Sequence, residues 1–170
     1  TTGATEERIP PMWSGGEAPG EVDRGSINFT YEVGDYVYLD QEHTAQNLTL
    51  GAGFGDVGVL QIRDGGSLSL LGAASGVDRV MYVGFEGEGS LELQSGGSIN
   101  LVDGDVRVGS QSGSVGSVQH VAGASFTTGG ALMLGTFASA QGPYNLTGGE
   151  LTVGGFLLVG REGTGTMVQT

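Results

Sequence analysis

A five-residue phrase closed by glycine returns along this chain at a nearly constant interval. It reads NLTLG at 47–51, VMYVG at 80–84, DVRVG at 105–109, ALMLG at 131–135 and FLLVG at 156–160. The closing glycines Gly84, Gly109, Gly135 and Gly160 are 25, 26 and 25 residues apart, and Gly51 stands 33 before Gly84. A repeat on the order of 20–50 residues marks architectures in which one unit cannot bury a face alone and stacking of neighbours makes the core.

Each unit carries two further phrases. One reads DGGSLSL at 64–70, SGGSINL at 95–101, AGASFTT at 122–128 and TGGELTV at 147–153. Another lies between: GVLQI at 58–62, GSLEL at 89–93, GSVQH at 116–120 and GTMVQ at 165–169, with GPYNL at 142–146 fitting after a shift of one. Apolar and polar residues alternate with period two in all of them, which is the pattern of a half-buried strand. Glycine bounds each phrase and supplies the positive φ of a sharp corner.

Three short strands and three corners per unit predict an all-β fold, a right-handed parallel β-helix. This solenoid has about five coils of roughly 25 residues over 26–170, after an N-terminal arm or cap at 1–25. Right-handedness follows from the rule for parallel crossovers. Inward files are then Met81, Val106, Leu132 and Leu157, with Val83, Val108, Leu134 and Val159 beside them. Leu60, Leu91, Val118 and Met167 form the middle file, and Leu68, Ile99, Phe126 and Leu151 the third. Burial of each such side chain contributes ~1.5–3 kcal/mol, so a dozen of them hold a stack without a globular core.

The phrases YLDQEHTAQNLTLGAGFGDVGVLQIRDGGSLSL and YNLTGGELTVGGFLLVGREGTGTMVQT, with the copies between them, resemble the Gly-rich repeats of bacterial autotransporter-type passengers and related exported surface proteins. The resemblance covers roughly residues 28–170. It implies a β-helix at the cell surface or outside the cell, serving as stalk, adhesin or scaffold.

Composition narrows the partners. Net charge is −13, from 19 acids and 6 bases, all of them Arg. Nucleic acid and anionic membrane surfaces are therefore poor partners. No apolar run of ~18 residues predicts membrane insertion. Cys is absent, which removes disulfide and thiol chemistry. The first residue is Thr1, which predicts a mature secreted product, and the final GTMVQT predicts an unfinished coil with an open parallel edge.

Candidate chemical sites are sparse. GAGFGDVGV at 51–59 is a single loose likeness to a calcium nonapeptide, which works by repetition. Asp103 and Asp105 flank Gly104, and Glu86 and Glu88 flank Gly87; both pairs read as solvated corner residues. Arg63, Arg79, Arg107 and Arg161 fall in different phrases, so no acid-plus-base cluster is predicted. His120 takes the inward slot of Leu93 and reads as a buried imidazole bonded to corner backbone; His43 reads as part of an N-terminal turn. Asn28, Asn47 and Asn145 begin N-x-S/T patterns. No catalytic residue, cofactor or metal site is predicted.

The outward face of the first strand carries Ala131 and Met133, then Phe156 and Leu158, an apolar patch expected to meet another subunit. With Met167 and Thr170 at the open edge, and Ile9, Met12 and Trp13 in the arm, these residues make the expected assembly interface. The leading expectation is an extracellular homo-polymer built by end-to-end coil stacking. The alternatives are an adhesin or stalk that binds surface glycan through Tyr31, Tyr36 and Tyr38, and a polysaccharide lyase or hydrolase.

Overall fold

Period-two alternation gives each phrase one apolar face, and the chain satisfies those faces by coiling. The computed structural model describes residues 24–27, 36–71 and 80–170. Within these the first coil holds β1 (Arg24–Ile27), β2 (Val37–Leu39) and β3 (Glu42–Ala45). The second holds β4 (Asn47–Leu50), β5 (Val57–Ile62) and β6 (Ser67–Leu70), and the third β7 (Val80–Val83), β8 (Glu88–Leu93) and β9 (Ser98–Leu101). The fourth holds β10 (Asp105–Val108), β11 (Val115–Val121) and β12 (Ser125–Thr128), and the fifth β13 (Leu132–Leu134), β14 (Gln141–Thr147) and β15 (Glu150–Val153). Above them lie β16 (Leu157–Val159) and β17 (Thr164–Gln169).

Strands in the same place on successive coils pair in parallel. They make three sheets, β1-β4-β7-β10-β13-β16, β2-β5-β8-β11-β14-β17 and β3-β6-β9-β12-β15. The fold is the expected parallel β-solenoid, and β1 already begins at Arg24, inside the segment read as the arm. Register is the decisive detail. Met81 pairs with Val106, Val106 with Leu132 and Leu132 with Leu157, so the first inward file is one column. Leu68, Ile99, Phe126 and Leu151 form the third file in the same way.

The middle file differs from expectation at one coil. Gly142 pairs with Gly165, and Val118 pairs with Tyr144, so GPYNL enters without any shift. The file runs Leu60, Leu91, Val118, Tyr144 and Met167, and a tyrosine occupies the core at 0% exposure.

The corners explain two glycines of each unit. Gly109 closes β10 at φ +67, and a Cβ there would stand 2.1 Å from the Gln141 carbonyl oxygen of the next coil. Gly116 opens the inward face of β11, where a Cβ would stand 2.0 Å from the Val83 oxygen and 2.3 Å from the Gly109 nitrogen. The two bare backbones pass each other in a space that no side chain can enter.

Candidate functional site

The end of the solenoid formed by β15, β16 and β17 is where its inward files meet solvent. Leu132 and Leu134 are sealed at 0% exposure, whereas Leu157 and Val159, next in the same files, are 46% and 44% exposed. Phe156 is 60% exposed and Val168 50%. Leu151, Val153 and Met167 pack on the core from one side and stay half-buried. Among the described residues these three strands are also the last members of their sheets, and β1, β2 and β3 are the last members at the opposite end. Every ladder is parallel, and the two ends differ: in the first coil Val37, Leu39 and Ala45 are buried at 2%, 2% and 3% exposure, whereas the files open at Leu157 and Val159. Thr170 is exposed, and its N–H donates to the Leu146 carbonyl at 3.0 Å.

The outward file of the first sheet corrects one expectation. Thr49, Tyr82, Arg107, Met133 and Leu158 stand in line, but Met133 and Ala131 are buried, at 8% and 3% exposure. Met133 is flanked by Arg107 on one coil and Leu158 on the next, so its file neighbours take both its sides. Ala131 lies in the corner before β13, and its N–H donates to the Asp105 carboxylate at 2.8 Å. An interior coil loses two flanks of each outward side chain to its neighbours. Only the last coil leaves Phe156 exposed and Leu158 half-buried. Ile9, Met12 and Trp13 lie outside the described residues, as do Asn28, Tyr31 and Arg79.

His120 lies where expected, in register with Leu93 and 0% exposed. Nε2–H donates to the Ala124 carbonyl at 3.1 Å, and Nδ1 accepts from the Tyr144 hydroxyl at 2.9 Å. A carbonyl accepts only, which assigns the proton to Nε2. Burial holds the imidazole below its ordinary 6.5, against the smaller opposing effect of the Ala124 bond. Burial also pushes the Tyr144 hydroxyl above its ordinary range. Together they form a closed polar pair inside an aliphatic core. His43 is not in a turn: it lies half-buried in β3, paired with Leu68.

The single nonapeptide-like stretch has a local explanation. The Asp56 carboxylate accepts from the Gly53 N–H at 2.9 Å and closes the corner, leaving Phe54 96% exposed at its tip. Glu86 is an exposed corner residue and Glu88 is exposed at the start of β8, while Asp105 serves the Ala131 backbone. Among the described residues no three His, Asp or Glu side chains gather as a metal site would require. Asn47 and Asn145 both lie half-buried on strands, β4 and β14.

Tyr36 and Tyr38, named above as glycan candidates, gain partners that the sequence did not suggest. Arg63 follows β5 and lies over two tyrosine rings, 5.4 Å from the Tyr36 centroid and 4.3 Å from that of Tyr38. Its Nη2 donates to the Tyr36 hydroxyl and to the Gln61 amide oxygen, both at 3.1 Å. Gln61 Nε2 in turn donates to the Glu92 carboxylate at 2.8 Å. The signal for this cluster lies in the repeat: Val37-Tyr38-Leu39 is an earlier copy of Leu60-Gln61-Ile62, which places Tyr38 beside Gln61. No protein-family model, curated protein or solved structure matches this chain.

Proposed function

We propose that this chain is a structural β-solenoid subunit that joins end to end with further copies into a surface rod or fibre. The reading rests on one observation: inward files sealed in each interior coil open to solvent at Leu157 and Val159. Another coil of the same kind is the occupant that fits these files, because interior coils are covered in this way, Leu132 and Leu134 by Leu157 and Val159. Phe156, Leu158, Met167 and Thr170 lie at that junction, and contacts of this head-to-tail kind do not close on themselves. Likeness of the repeats to exported passenger repeats supports a place outside the cell. Sedimentation velocity and negative-stain microscopy test the proposal. Rods that lengthen with concentration are expected, and Leu157→Lys with Val159→Lys yields short particles with an unchanged β-sheet spectrum. Wild-type protein that stays monomeric at hundreds of micromolar overturns it.

A further inference from the structure

The cluster on the outward face of the first three coils is a second surface, argued for the unjoined chain because it borders the end that a joining copy would cover. We propose that Tyr36, Tyr38, Gln61, Arg63 and Glu92 bind a neutral, hydroxyl-rich ligand, a glycan chain. The argument begins with shape. Each of these side chains ends in a planar group, and the hydrogen bonds from Arg63 to Tyr36 and Gln61, and from Gln61 to Glu92, link them. Their arrangement is thus in place before a ligand arrives, which lowers the ordering cost of binding.

The chemistry then selects the ligand. Tyr36 is 41% exposed, and Tyr38 belongs to β2, the edge strand of its sheet. Arg63 covers the side of the Tyr38 ring toward the second coil, and among the described residues no strand of that sheet lies on the other side. A sugar ring presents an apolar C–H face to such an aromatic ring while its hydroxyls need donors and acceptors at the rim. Gln61 and Tyr36 offer both, Arg63 donates only and Glu92 accepts only. Arg63 and Glu92 offset each other in charge, and the chain as a whole carries −13, so a polyanion is disfavoured. An apolar peptide would have to desolvate this ion-bearing rim for two half-covered rings. A neutral glycan does not.

Cellohexaose and maltohexaose are the probes, with polygalacturonate as the anionic arm, added to the full chain and read by saturation-transfer NMR and calorimetry. Saturation transfer to at least one neutral hexasaccharide is expected. Its affinity should fall about tenfold in Tyr38→Ala and in Arg63→Ala. If Tyr38→Ala perturbs the first coil by circular dichroism, Gln61→Ala keeps both rings and reads the polar half with the same expected loss. Three results overturn the proposal: no transfer to either neutral hexasaccharide, binding of polygalacturonate alone, or neutral binding undiminished in the variants. Variants that only lower the melting temperature, with no ligand bound by the parent, identify a purely structural cluster.

Discussion

His120 and Tyr144 show how one polar pair is carried inside a column of aliphatic side chains. Each completes the other, so their removal is strongly non-additive. His120→Leu restores the residue type of Leu93 one coil back but strands the Tyr144 hydroxyl, at a cost of about 1–3 kcal/mol. Adding Tyr144→Phe should recover most of that loss in urea-unfolding midpoints. The pair also sets a pH dependence. The folded imidazole titrates below the unfolded value of 6.5, so the unfolded chain binds the extra proton as pH falls through that region. Stability from this site is complete above about 6.5 and declines below it, and the slope should vanish in His120→Leu/Tyr144→Phe. Ser139 is a separate case. It sits at φ 62, where Gly55 and Gly113 occupy the equivalent corner place at 82 and 78. Ser139→Gly should therefore raise stability by about 0.5–1 kcal/mol in thermal unfolding.

At the level of the element, corners rather than strands set the tolerance of each coil. Gly113 has positive φ with open space around it, so Gly113→Ala should cost only about 1 kcal/mol of backbone strain. Gly116 has no positive φ, yet its Cβ would overlap the Val83 and Gly109 backbones. Backbone cannot rotate aside as a side chain does, so Gly116→Ala should cost on the order of 3 kcal/mol or more. The order of the two denaturation midpoints checks the argument, since a simple φ rule predicts the reverse. The strands between corners are short and gain their stability from file neighbours above and below. That is why Met133, with a coil on either side, is buried while Phe156, beside the last strand of its sheet, is exposed.

For the whole molecule the ends and the charge oppose each other. In the proposed junction the open files at Leu157 and Val159 would favour stacking, while a net charge of −13 would repel an approaching copy. Salt screens the second effect and spares the first. Self-association measured by sedimentation should therefore strengthen from low to physiological ionic strength, and dissociation on adding salt would contradict the proposed apolar junction. A solenoid is also close to one-dimensional in its energetics, each coil being held by its neighbours. Amides of β10 and β11 should accordingly outlast those of β16 in hydrogen exchange of the monomer, and this gradient should flatten in assembled rods.

The coil, its period and most inward files are determined by the order of residues alone. Period-two alternation and paired glycines leave a strand-and-corner unit one way to bury its face. Alternation alone puts Val106, Leu132 and Leu157 in one column, because an error of one place would turn Arg107 inward. Tyr144 is harder to place: an amphipathic ring suits either face, and only its register with Val118 and its bond to His120 put it in the core. Tertiary structure alone decides which outward residues are covered and which are open. Alternation tells a side chain its side of the sheet, but exposure there depends on neighbours a whole coil away. Ala131 and Met133 thus read as surface in the sequence and are buried in the fold, while Arg63, from the next coil, comes over Tyr36 and Tyr38.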